Sequence, residues 1–403
     1  MEFFSLCIIN RLNKIEMLTQ LINGKIFTPN GWLEKGSVLI RGNKVLDVTN
    51  CDLGLVGADI IDVKGMYIVP GFVCMHAHGA GGHDFTEGTE EAFRIAINAH
   101  QRHGATCIFP TMSASTFDEI RQGVATCEKL MAEENSPVLG LHLEGPYLNP
   151  SRASDLYGEK LCDIRPEDYK SIIESTHCIK RWDASPELPG ALDFARYMRS
   201  KGILTAMSHT EVEYLAAKEA FEAGFTHTAH FYNGMPGFHK CREYKYEGTV
   251  ESVYLLDDMS IELIADGRHL PDTILRLAYK LKGVDKTCLV TDSMCYAGGE
   301  GVAVNDPDIF VEDGVCKSRK NHHLAGSIAT MDRVVKNTVK AGIPFEDVLR
   351  MVSETPAKLM GVFDRKGSLE KGKDADIVVL DSKLDVRAVC SMGQVFEGTN
   401  TIG

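Results

Sequence analysis

No stretch of this chain is apolar for long enough to cross a bilayer. Its first residues, Met1-Glu-Phe-Phe-Ser-Leu-Cys-Ile-Ile-Asn-Arg11, lack the basic start and small-residue cleavage site of an export signal. Basic residues are outnumbered, 43 Lys and Arg against 56 Asp and Glu, and a net charge of −13 argues against a nucleic-acid-binding surface. The twelve cysteines include no Cys-x-x-Cys pair and no compact disulfide-like spacing. Cys74, Cys107 and Cys288 sit inside apolar runs, where cysteine behaves as a small hydrophobe. The expectation is a reduced, cytoplasmic protein with no membrane or nucleic-acid partner. A dinucleotide-binding Gly-x-Gly-x-x-Gly turn is also missing.

What is present is an ordinary globular composition, 44% hydrophobic and 25% charged. At 403 residues the chain exceeds the ~250–300 at which one core usually stops growing, so more than one domain is expected. Met17 opens a better strand pattern than the residues before it, which makes 1–16 an extension of unassigned role. Residues 17–69 alternate apolar and polar residues between close turns (Asn23-Gly24, Pro29-Asn30-Gly31, Arg41-Gly42-Asn43), the pattern of antiparallel β structure. Residues 363–403 repeat that style, so head and tail are expected to build one small domain together. The middle, 70–362, alternates short apolar runs with helical stretches. Repeated βα units imply a parallel sheet, and about eight strand candidates without a dinucleotide turn favour a (β/α)8 barrel of the TIM type within an α/β protein.

Chemistry gathers where the apolar runs end. If Val73–His78 is a strand, its period of two puts His76 and His78 on one side. Leu139–Leu143 ends in Glu144, Ile203–Met207 in Ser208-His209, Phe225–Ala229 in His230, Ile261–Ile264 in Ala265-Asp-Gly-Arg-His269, and Thr287–Thr291 in Asp292. Each residue alone has a plain structural alternative: a hydrogen-bonded histidine, a solvated carboxylate, a helix cap. Barrel enzymes carry their chemistry on the C-terminal rim of the strands, and stability alone gives no reason to place metal-type ligands there repeatedly. Histidine nitrogen and carboxylate oxygen suit zinc or another first-row divalent ion, and ligand type does not choose between them. Such a cation supports hydrolysis of an amide, with Asp292 as the acid/base group and His269 placed to steady an oxyanion or bind substrate.

PGFVCMHAHG, HLEGPYLNP, SHT, THTAHFYNGMPG, IADGRH, LVTDSM and LAGS follow one another in this chain as they do in N-acetylglucosamine-6-phosphate deacetylases of the amidohydrolase superfamily. The resemblance runs from about Met17 to the end and includes the split β domain, there a small β-sandwich. It implies that Glu144, His209 and His230 bind the essential divalent metal and that Asp292 is the catalytic acid/base. His76 and His78 match positions that hold a second metal in some members, so one or two ions per subunit are expected, zinc first and iron, manganese or cobalt as alternatives. Asn233 and Gly234 match the segment that meets the sugar phosphate, Arg242 the phosphate-binding arginine, and His269 a substrate-binding histidine. Leu324, Ala325 and Gly326 match a loop closing over the sugar. The phosphate-binding arginine of this family can come from the other subunit of a homodimer, which is the oligomer the resemblance implies.

Three segments depart from the family pattern. After HLEGPYLNP the usual Lys-Gly-Ala and then His or Gln are replaced by Ser151-Arg-Ala-Ser-Asp-Leu-Tyr-Gly158. The arginine loop, His239-Lys-Cys-Arg-Glu-Tyr-Lys-Tyr246, is one residue longer before Arg242 and lacks the usual proline and glycine. His322-His323 precede LAGS where a small turn is normal. All three lie on the sugar and phosphate side, while the metal and acid/base residues are intact. The leading expectation is hydrolysis of the acetamide of N-acetylglucosamine 6-phosphate. The alternatives are N-acetylgalactosamine 6-phosphate or an unphosphorylated N-acetylhexosamine as substrate and, remotely, a non-catalytic scaffold.

Overall fold

Residues from both ends of the chain meet in one sheet of the computed structural model, which describes residues 18–154, 157–299 and 306–397. The 1–16 extension lies outside the described residues. Among them, eight strands make this sheet, ordered Gln394–Glu397, Val386–Ser391, Ile377–Leu380, Tyr67–Pro70, Leu18–Thr28, Gly31–Arg41, Lys44–Thr49, with Asp59–Asp62 also paired to Leu18–Thr28. Ile377–Leu380 runs antiparallel to Tyr67–Pro70, with Ile377 opposite Pro70 and Leu380 opposite Tyr67. Strand alternation sends neighbouring side chains to opposite faces. Ile68, Ile377 and Val379 join a core with Leu21, Ile26 and Val38, whereas Val69, Val378 and Leu380 join the main core with Phe72 and Ile97.

The sheet hands the chain to the middle region at Gly71. A Cβ there would sit 2.0 Å from Thr106 Oγ1, so only glycine lets the strand enter at this angle. From that point, eight short parallel strands among the described residues alternate with helices. They are β1 Phe72–Cys74, β2 Ala105–Ile108, β3 Leu141–Glu144, β4 Ile179–Asp183, β5 Thr205–Met207, β6 Phe225–Thr228, β7 Ser260–Ile264 and β8 Thr287–Val290. Parallel pairing joins β1 to β2, β3 to β4, β5 to β6, β6 to β7 and β7 to β8. Bridges of the same sense link Ile108 to Val138 and Arg181 to Leu204. Beyond β8, Asp292 N donates to His76 O (3.1 Å), and His78 N donates to Ser293 O (2.8 Å).

The connecting helices carry the expected local devices. In α1, Glu90–Arg102, the Thr89 hydroxyl accepts from Ala92 N, acids fill the first turn and His100 and Arg102 the last. Phe93, Ala96, Ile97 and His100 form its buried stripe. In α2, Phe117–Met131, Thr116 and Glu119 form a reciprocal capping box. The elements that went unforeseen include β4 and the helices α3 (Pro166–Ser175) and α4 (Thr249–Tyr254). No helix among the described residues is long and apolar enough to cross a membrane.

Candidate metal and substrate site

The strand expected over Val73–His78 ends at Cys74, and the histidines stand on the irregular backbone that follows. They still converge: His78 Nε2 lies 3.1 Å and His76 Nε2 3.5 Å from Asp292 Oδ1. Glu144, at the end of β3, lies between two groups of nitrogen donors. Its Oε1 is 2.8 Å from His230 Nε2 and 3.3 Å from His209 Nε2, and its Oε2 is 3.2 Å from His78 Nε2. His209, His230 and Asp292 each follow a strand and each takes a positive φ, 46°, 28° and 46°. Left-handed backbone at non-glycine residues is uncommon and costs on the order of 1–3 kcal/mol, a cost typical of sites where side-chain direction matters.

Hydrogen bonds on the far ring nitrogens orient the histidines. His209 Nδ1 donates to Arg152 O (3.0 Å) and His230 Nδ1 to Asn233 O (3.0 Å). His76 Nδ1 donates to Glu262 Oε1 (2.5 Å), and His78 Nδ1 pairs with Ser113 Oγ (2.9 Å). Each ring therefore turns Nε2 toward the carboxylates, as imidazoles that bind metal commonly do. The electrostatics show what the cluster lacks. Burial lowers the His78 pKa, but hydrogen bonds to Asp292 and Glu144 outweigh it and carry the group up to about 9. Burial raises the Asp292 carboxyl, yet the charge of His76 and the hydrogen bond from His78 hold it below the usual range. Burial acts the same way on Glu144 and is outweighed by hydrogen bonds from His209 and His230. The pocket thus calls for buried positive charge, which a divalent cation supplies as readily as protonated rings.

Among the described residues, two groups could hold such an ion, His76 with His78 and Asp292, and Glu144 with His209 and His230; within each, the ligand atoms lie within 4.8 Å of one another. His76 Nε2 is buried without a hydrogen-bond partner, as a ligand nitrogen would be. The donor set of neutral imidazoles and carboxylates fits a divalent first-row metal.

A cavity of about 740 Å³ opens over the cluster, lined by His78, Glu144, His209, His230 and Asp292. It also brings in Asn233, Gly234, His269, Leu324, Ala325 and Gly326. Gly234 has φ 63°, and a Cβ there would fall 2.7 Å from His209 Nδ1, so glycine keeps that ring in place. Asp266 Oδ2 accepts from His269 Nδ1 (2.7 Å) and fixes the ring that the sequence pointed to. Arg242 is the exception. It sits at the turn of an exposed hairpin, His239–Cys241 with Tyr244–Tyr246, and does not line this cavity.

Two features escaped the sequence. Beneath the cluster, Arg181 pairs with Asp183 (2.5 Å) and Glu262 (2.7 Å), all three wholly buried, and Asp183 also reaches His142 Nε2 (3.0 Å). The signal available was a carboxylate inside the apolar run Ile261-Glu-Leu-Ile264, since an acid is rarely buried there without a partner. The second is Tyr157, which enters the cavity from the segment that departs from the family pattern.

A profile of the amidohydrolase family matches residues 67–400. The N-acetylglucosamine-6-phosphate deacetylase of Haemophilus influenzae is 30% identical over 372 residues, covering 91% of this chain and 96% of its own. The N-acetylgalactosamine-6-phosphate deacetylase of Escherichia coli O157:H7 is 26% identical over 380 residues, 92% of this chain and 97% of its own. The crystal structure of N-acetylglucosamine-6-phosphate deacetylase from Pasteurella multocida superposes with a TM-score of 0.87 at 27% identity, covering 94% of this chain and 100% of that one. A site of this composition, in a chain collinear with these enzymes over nearly its whole length, belongs to the amidohydrolase family and, within it, to the N-acetylglucosamine-6-phosphate deacetylases.

Proposed function

We propose that this chain hydrolyses the acetamide of N-acetylglucosamine 6-phosphate, releasing acetate and glucosamine 6-phosphate. The observation that carries the reading is the convergence of Glu144, His209, His230 and Asp292 in a chain collinear with deacetylases of that substrate. Glu144, His209 and His230 would hold a divalent ion, zinc first and iron, manganese or cobalt as alternatives. His76 and His78, with Asp292 beside them, would hold a second. When bound, such an ion lowers the pKa of water and polarises the carbonyl under attack. Asp292 takes the proton from the attacking water and passes it to the departing amine nitrogen, so one carboxylate serves as base and then acid. His269, held by Asp266, presents its free nitrogen to the substrate. Asn233, Gly234 and the Leu324–Gly326 segment border the sugar.

We read the eight parallel strands as one closed (β/α)8 barrel spanning 70–362, and 17–69 plus 363–403 as a small β-sandwich domain. The backbone hydrogen bonds between the segments after β8 and β1 support closure. The exposed Arg242 hairpin supports a homodimer in which that arginine serves the partner's phosphate site. The described cysteines are all unpaired, which supports a cytoplasmic setting.

The test is acetate release by the metal-loaded protein, with N-acetylglucosamine 6-phosphate, N-acetylgalactosamine 6-phosphate and free N-acetylglucosamine compared side by side. Preference for the first is expected, together with an Arg242→Ala variant that loses activity on phosphorylated substrates alone. Preference for either of the others would overturn the substrate assignment.

A further inference from the structure

Resting on the deacetylase reading, we propose that the Tyr157 hydroxyl is a catalytic hydrogen-bond donor to the amide carbonyl oxygen of the substrate. Its ring meets the His209 ring edge-on, centroids 5.7 Å apart, and its hydroxyl donates to Glu144 Oε2 at 3.2 Å. That oxygen is the one that faces His78 Nε2, itself 3.1 Å from Asp292 Oδ1. The phenol thus reaches the centre of the cluster from the cavity side.

The segments on either side of Tyr157 are anchored. Ser151 N and Oγ both donate to Asn149 Oδ1, at 2.9 Å each, and Arg152 pairs with Glu211 while its carbonyl accepts from His209. On the other side Lys160 N donates to Tyr157 O (3.1 Å), and its ammonium reaches Glu119 (2.9 Å). The ring is therefore carried between two fixed points at the mouth of the cluster.

A phenol hydroxyl carries one proton that it can donate to an oxygen acceptor. With Glu144 holding a cation, the hydroxyl, whose acceptor among the described residues is Glu144, would turn to a substrate carbonyl placed over the cluster. Water adds to the carbonyl carbon, the C–O double bond gives its electron pair to oxygen, and Tyr157 stabilises that charge without giving up its proton. The amine then leaves with the proton carried by Asp292, and the C–O double bond reforms. A donor aimed at a developing oxyanion is worth on the order of 100-fold in kcat.

Tyr157→Phe keeps the ring and removes only the donor. The expected result is a roughly 100-fold lower kcat on N-acetylglucosamine 6-phosphate, with KM and metal content unchanged. Calorimetry should show a comparable loss of affinity for a tetrahedral phosphonamidate analogue. The N-trifluoroacetyl substrate, whose carbonyl is already electron-poor, should lose far less. A variant with wild-type kcat, or with unaltered analogue affinity and the same loss on both acyl groups, would overturn the assignment. A variant that no longer holds its metal would do so too, since Tyr157 would then act on Glu144 instead. Failure of the deacetylase reading shows separately, as wild-type protein that releases no acetate.

Discussion

Glu262 holds more of the site together than any residue flagged by its own motif. It is wholly buried on β7, receives His76 Nδ1 and the backbone N of His230 (2.9 Å) on one oxygen, and pairs with Arg181 through the other. It does not line the cavity; it is a positioning residue that sets which way His76 faces. Glu262→Gln keeps the volume but removes the charge opposite a buried guanidinium, and breaking such a pair costs about 3–5 kcal/mol. The expected outcome is a lower melting temperature and fewer ions bound per chain, lost from the His76 and His78 group and retained at Glu144, His209 and His230. Metal analysis beside calorimetry checks it, and full metal loading would contradict the positioning role. This network shows why part of the site was hidden: the residues that could hold a metal lie at strand ends where motifs announce them. Arg181 and Asp183 sit inside Ile-Lys-Arg-Trp-Asp, a run too polar to read as a buried strand.

Helices show the same division between what is local and what is not. Thr89 before two glutamates, and Thr116 with Glu119, are caps that can be read directly from the sequence, and α1 and α2 begin within a residue of where such signals place them. The six residues of α4 are too few to show a period, and only packing defines them. One buried residue of α1 has a consequence for pH. His100 Nε2 donates to Gly79 O (3.2 Å), and its Nδ1 is buried with no partner, so a second proton would have no acceptor. Burial pushes its pKa down from 6.5 to about 4, with the nearby His103 adding to the shift. Above pH 6.5 both folded and unfolded states are neutral and nothing is lost. Between 6.5 and 4 the unfolded chain binds a proton that the folded chain refuses, so stability falls as pH falls, by roughly 3 kcal/mol at most. His100→Gln keeps a donor for Gly79 and should flatten that part of the stability profile, measured by urea unfolding from pH 7 to pH 4. An unchanged slope would count against it.

At the scale of the whole molecule, the joint between head, middle and tail is electrostatic as well as apolar. Lys366 is 1% exposed and pairs with Asp376 (2.6 Å) and Asp374 (3.1 Å); Asp374 also takes Lys44 from the head sheet (2.6 Å). Asp376 further accepts from Met392 N (3.0 Å), and its carbonyl accepts from Gly71 N (2.9 Å) at the entrance to β1. Lys366→Met leaves the Asp376 carboxylate buried beside no cation, and a loss of about 3–5 kcal/mol in urea unfolding is expected. Adding Asp376→Asn should recover part of it, and strict additivity of the two losses would show that the pair does not act together.

The pairing of Tyr67–Pro70 with Ile377–Leu380 joins residues about three hundred positions apart, the first of them just ahead of β1 and the irregular backbone that carries His76 and His78. On a ribosome, Tyr67–Pro70 therefore waits with one edge bare until some three hundred further residues have been made. The nascent chain must keep that edge from other partners until Ile377–Leu380 reaches it.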